Sequence, residues 1–88
     1  MEKINSDKYK LVPISERARS FKLGKYEHFK GGQYEVICLA RDSEDKEREL
    51  VVYQSLDQGH IWVGPLDMFM EDVVIGGKSA PRFRYLGI

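Results

Sequence analysis

The strongest constraint on this chain lies between Tyr26 and Gln54, where side chains alternate with a period of two around a glycine pair. Tyr26 to Phe29 reads as a strand, with Tyr26 and His28 on one face and Glu27 and Phe29 on the other. Gly31-Gly32 supplies a turn that accepts positive φ, so Gln33 begins an antiparallel return strand. In that strand Tyr34, Val36, Cys38 and Ala40 are expected on one face, and Glu35, Ile37, Leu39 and Arg41 on the other. Both rows contain apolar groups. Such a strand belongs in a strongly curved small barrel, or in a sheet whose outer face is covered by an arm. Asp42 to Arg48 is almost wholly charged and reads as a solvated loop. It lacks the ligand pattern and central glycine of a calcium loop. Glu49 to Gln54 is a third strand, with Leu50 and Val52 facing away from Val51 and Tyr53.

The flanking segments extend the same architecture. Residues 1–8 are polar, and an end of that composition is expected to fray. Tyr9 to Ile14 is apolar but interrupted by Pro13, which confines it to an edge strand or an extended arm. Ser15 is a suitable N-cap for a short helix reaching towards Leu23, with Ile14, Ala18 and Phe21 at helical spacing and Gly24 just past its end. Beyond the Ser55–Gly59 connection, His60 to Val63 is a fourth strand, with Trp62 facing away from Ile61 and Val63. Pro65 pre-sets a single helical turn, about residues 65–70, that brings Met68 or Phe69 over one end of the barrel as a plug. Val73 to Ile75, the turn at Gly76-Gly77-Lys78, and Arg82 to Leu86 are expected to form a final hairpin. Pro81 sits before its last strand, where a missing N–H does little harm. The expectation is an all-β domain: a small barrel of five or six antiparallel strands, with one helical turn and an N-terminal arm or short helix.

The 88 residues are too few for two hydrophobic cores. Residues 1–23 are expected to form the arm and residues 24–88 the barrel. Lys and Arg together equal Asp and Glu, giving a formal charge of zero. The charge is uneven: residues 1–30 carry eight basic and four acidic groups, residues 31–77 three and ten, and residues 78–88 three and none. Basic ends lying against an acidic middle account for this without a ligand. A basic face of Lys22, Lys25, Lys30, Arg82 and Arg84 turned towards an anionic partner is the sharper alternative, but nucleic-acid binders usually show a clear basic excess. One cysteine, Cys38, leaves no internal disulfide and fits a reducing compartment. Its apolar strand neighbours favour a buried thiol. The apolar runs are too short to span a membrane, and the first residues lack the apolar core of a signal peptide. A globular cytoplasmic protein is expected.

Gly24-Lys25-Tyr26, His28-Phe29-Lys30-Gly31, Tyr34-Glu35-Val36, Ala40-Arg41, Ser43-Glu44, Leu50-Val51-Val52-Tyr53-Gln54, Trp62-Val63, Pro65-Leu66, Met68-Phe69 and Pro81-Arg82-Phe83 fall in an ordered series. On these blocks, roughly residues 24–86, the chain resembles the bacterial domain-of-unknown-function 1653 family. The resemblance implies an SH3-like small β-barrel and no assigned activity. Gly64 departs from it where an arginine is expected, and Asp57 where an aromatic is expected. Arg41 and Arg82 match it.

Candidate chemistry is sparse. His28 and Lys30 form the nearest thing to a polar pair, and an imidazole can serve as a general base near neutral pH. No nucleophile is bracketed with His28, so a histidine hydrogen-bonded within the sheet is the preferred reading. His60 is more weakly indicated. One Cys and two His with scattered acids give no zinc spacing, and the glycine pairs lack the spacing of a phosphate loop. No metal or cofactor is expected. The aromatics are too numerous for so small a core to hide, and small barrels bind extended peptides or single-stranded nucleic acid on aromatic surfaces. The candidate binding residues are therefore His28, Lys30, Arg41, Tyr53, Gln54, Trp62 and Arg82. They point to a non-catalytic binding or adaptor module for a protein or nucleic-acid partner. The alternative is a small-ligand protein or enzyme with His28, Lys30, Arg41 and Glu44 around a barrel mouth.

Overall fold

Ser15 opens the described part of the chain, residues 13–88 of a computed structural model, by capping a helix. Its hydroxyl accepts the Ala18 N–H, and helix α1 (Glu16–Ser20) ends where Phe21 turns extended. The expected arm from Tyr9 lies outside the described residues as far as residue 12. Strands β1 (Gly24–His28), β2 (Gln33–Arg41), β3 (Glu49–Ser55) and β4 (Ile61–Pro65) follow as an antiparallel meander. Helix α2 (Leu66–Phe69) is the expected turn after Pro65. Strands β5 (Asp72–Ile75), β6 (Lys78–Pro81) and β7 (Phe83–Gly87) complete seven strands among the described residues.

Five strands form one sheet in the order β4-β3-β2-β1-β7, while β5 and β6 pair only with each other. The all-β expectation stands, but the sheet is not a closed barrel: β4 and β7 are its two edges. The expected final hairpin is also divided. Its first strand pairs with residues 78–81, and the chain then returns to the main sheet beside β1. Arg82 makes the handover with its main chain, its N–H donating to Glu71 O (2.9 Å) and its carbonyl accepting from Phe29 N–H (2.9 Å). Pro81, with no N–H to give, ends the ribbon at that point.

The tightest turn fulfils the glycine pair's reading, since Gly31 and Gly32 take φ of 94° and 87°. A second glycine is fixed by crowding: at Gly24, also at positive φ, a Cβ would lie 2.6 Å from Gly87 O.

One irregularity changes the facing of β2. Val36 pairs with Tyr53 and Cys38 with Val52, so Ile37 is an extra, bulged residue. Beyond it the alternation inverts. Tyr34, Val36, Leu39 and Arg41 share the inner face, while Glu35, Cys38 and Ala40 lie on the outer one. Cys38 is exposed, contrary to the buried thiol expected from its neighbours. The core on the inner face is built from Ala18, Tyr26, Val36, Val51, Leu66 and Phe69. Phe69 is the plug, stacked on Phe83 with centroids 3.9 Å apart and edge-on to Tyr26 and Tyr53, whereas Met68 points to solvent. Offset and edge-on ring contacts of this kind add to what burial alone contributes.

Candidate functional site

The sequence-predicted residues separate into three places. His28, Lys30 and Arg82 lie at the β1–β2 turn. Tyr53, Gln54 and Trp62 lie on neighbouring strands β3 and β4. Arg41 ends β2 at its far end, roughly 25 Å from Gln33 at ~3.3 Å per residue. His28, Lys30 and Arg41 therefore do not surround one mouth.

At the turn, the His28 ring packs between Phe29 and Phe83, with centroids at 4.6 and 4.9 Å. Its Nδ1 accepts the Lys30 N–H at 3.1 Å. This bond assigns the neutral tautomer with hydrogen on Nε2. Partial burial among the rings, then the Arg82 and Lys30 cations, lower its pKa below the ordinary 6.5. A neutral imidazole whose one lone pair is already engaged is a poor general base. Arg82 pairs with Glu71 at 3.5 Å and reaches over the Phe29 ring, while its buried Nε has no partner among the described residues. The Lys30 ammonium lies 5.7 Å from the same ring centre.

The other polar candidates are held locally. Arg41 donates to Lys46 O at 3.1 Å, closing the charged loop onto β2. Gln54 donates to Gly59 O at 3.0 Å, bracing the β3–β4 turn. Tyr53 is half-buried between Tyr34, Phe69 and Phe83, with centroids between 5.2 and 5.7 Å. Burial, then the neighbouring Tyr34, push its phenol pKa up.

Trp62 differs from all of them. It stands opposite Tyr53 across the β3–β4 ladder on the inner face, at the edge of the sheet that the described residues form. It is 50% exposed, and among the described residues it is the one Phe, Tyr or Trp side chain left exposed. His60 flanks it at 6.1 Å. Its strand neighbours on the outer face, Ile61 and Val63, are 61% and 59% exposed.

Two features escaped the sequence reading. Tyr34 joins the two aromatic groups, touching His28, Tyr53 and Phe83. Its place in the period-two pattern was visible, but not its reach across three strands. A cleft of about 440 Å³ also opens beside Phe21, Tyr26, Phe69 and Tyr85, with Lys22 and Arg84 at its rim. Tyr26 forms part of its wall, and its hydroxyl donates to Lys22 O at 2.6 Å. Burial, then Tyr85, raise its pKa to about 12. No signal in the sequence places residues 21 and 69 together.

Among the described residues no group of three or more His, Cys, Asp or Glu could hold a metal ion. No helix there is long and apolar enough to cross a membrane.

Comparison with known proteins agrees on the fold and assigns no activity. The family described as protein of unknown function (DUF1653) matches residues 24–85. The crystal structure of a DUF1653 protein from Bordetella bronchiseptica is similar to this chain at 33% identity and a TM-score of 0.73, covering 80% of this chain and 92% of that one. No curated protein matches. The matched span runs from Gly24 to Tyr85 on the last strand, and so reaches every strand of the sheet. By that span, the chain belongs to the DUF1653 family of proteins of unknown function.

Proposed function

We propose that the chain is a non-catalytic binding module that meets a protein partner at the β4 edge, with Trp62 as the anchor. The observation that carries this reading is the exposure of Trp62 beside exposed Ile61 and Val63 on an uncharged edge strand. Large aromatic rings at the centre of a patch dominate protein–protein recognition. An edge strand adds main-chain hydrogen bonds to any extended segment laid along it. Gln54 and Tyr53 contribute from behind, one bracing the turn and the other filling the inner face next to Trp62.

Nucleic acid is the weaker partner. Arg41 and Arg82 are occupied by Lys46 O and Glu71, and Phe29, Tyr34 and Tyr53 are packed rather than presented. Base stacking needs open ring faces, and phosphates need free cations.

Trp62 is the single tryptophan, so its emission reports on the site at sub-micromolar protein. Pools of extended apolar peptides are expected to shift that emission to shorter wavelength. Single-stranded RNA and DNA are expected to leave it unchanged. A response to oligonucleotides alone, or to neither, would sink the reading.

A further inference from the structure

The β4 strand is complementary to itself, and we infer that the partner at this edge is a second copy of the chain, joined antiparallel β4 to β4 about a two-fold axis at Val63. The inference rests on the edge-binding reading above and names its occupant.

The hydrogen-bonding parity of the strand comes first. Ser55 N–H donates to His60 O at 2.9 Å, so that opposed pair lies in a hydrogen-bonded position. Antiparallel ladders alternate, and the pairs two and four residues on, Tyr53 with Trp62 and Val51 with Gly64, are therefore bonded too. The main-chain groups of Ile61 and Val63, with the Pro65 carbonyl, turn to the open edge instead. Pro65 falls at an outward position, where its missing N–H leaves β3 undisturbed.

A two-fold at Val63 then opposes Val63 with itself, Ile61 with Pro65, and Trp62 with Gly64. The two Val63 residues exchange both of their outward bonds, while the Pro65 ring, standing where an N–H would be, parts the strands at either end of the pairing. On the outer face this gives an apolar row of Ile61, Val63 and Pro65 from both chains. On the inner face each Trp62 indole comes beside the other chain's Gly64, whose missing Cβ leaves room for a ring next to the Tyr53 that already flanks it. No charge lies anywhere in Ile61–Pro65, so none opposes its own kind. The strand has no lysine or inward charge to guard its edge, and its one guarding residue, Pro65, stands at its end, whereas the opposite edge, β7, carries Arg84. Both copies use the same patch, which closes the assembly at two. A patch this small falls towards the low end of the size range for specific interfaces, and a reversible dimer is expected.

Sedimentation velocity of the full chain over a concentration series is the test. The wild type is expected to pass from monomer to dimer. Val63→Lys sets like charges on the two-fold and should weaken the dimer roughly tenfold or more. Val63→Pro removes only an outward N–H and should do the same. Val74→Lys, at a still more exposed valine on the β5–β6 ribbon, should leave the dimer unchanged, and circular dichroism checks that each variant is folded. A chain monomeric at every concentration overturns the inference, as does a dimer indifferent to both Val63 variants. A monomer whose Trp62 emission still answers to peptides ends this inference and leaves the protein-binding reading standing.

Discussion

At the scale of single residues, His28 shows how a polar side chain in a strand becomes structural. Its ring belongs to the aromatic layer, and burial together with Arg82 and Lys30 favours the neutral form. In the unfolded chain the same imidazole takes up a proton near pH 6.5. Between that value and the lower folded one, the unfolded state binds more protons. Stability is therefore full above pH 6.5 and falls as the pH drops towards the folded value. Gln at this position keeps a side-chain acceptor for Lys30 N–H but does not titrate. Melting temperatures followed from about pH 7 to about pH 5 should consequently fall less steeply in His28→Gln than in the wild type. Equal slopes would show that His28 is not held neutral by its surroundings. Cys38 teaches the complementary lesson. Its apolar neighbours argued for burial, yet one bulged residue at position 37 turned it outward.

Among the elements, what the sequence disclosed and what it concealed follow from the range of the interactions. The Gly31-Gly32 turn, the Ser15 cap and the Pro65 helix start are encoded within a few residues and were legible. The bulge was not, because a one-residue slip inverts a strand's facing while leaving its composition the same. Nor was the division of the last hairpin, which depends on Arg82 main-chain bonds to Glu71 and Phe29. Of the site, Trp62 was readable as a strand aromatic and candidate binding residue, but not its place at the sheet's edge. The engagement of Arg82 by Glu71 and the covering of Tyr53 by Phe69 needed the tertiary fold.

The docking of α1 carries this element-scale argument to a test. A five-residue helix does not persist alone. Ser15 fastens it, donating its N–H and hydroxyl to the Glu49 carboxylate at 2.8 and 2.7 Å while capping Ala18. Those two bonds, first the backbone one, hold Glu49 below its ordinary value of 4.5. The stabilisation is present above that pH and lost as the pH falls through the lower folded pKa. Ser15→Ala should cost about 1 kcal/mol in urea melts at neutral pH. It should also lessen the further loss seen on the acid side. An acid limb unchanged by the substitution would show that the Ser15 hydroxyl bond to Glu49 does not fasten the helix.

For the molecule as a whole, the open sheet and the separate ribbon predict two levels of stability in one chain. Strands β2 and β3 lie in the middle of the five-stranded sheet, with Val36 and Val51 buried under both helices. Opening them requires Phe69 to leave the aromatic layer, an event of the size of global unfolding. Among the described residues the β5–β6 ribbon has no neighbouring strand, and its Val74 is 76% exposed. Two-stranded ribbons are marginal without a third strand or a packed face. The ribbon's tether, Arg82, bonds to Glu71 just before β5 and to Phe29 on the main sheet, so the ribbon can open while β7 stays paired with β1. Native-state amide exchange should therefore separate them. Amides of Val73 to Ile75 are expected to exchange through local opening with little dependence on denaturant. Those of Leu39, Val51 and Val52 should exchange only through global unfolding, with the full denaturant slope. If both groups share one slope and one free energy, the ribbon is welded to the sheet and the division at Arg82 has no energetic meaning. If they separate, the chain is a rigid sheet bearing a loosely held ribbon, and the β4 edge on the rigid part is the better platform for a stable contact.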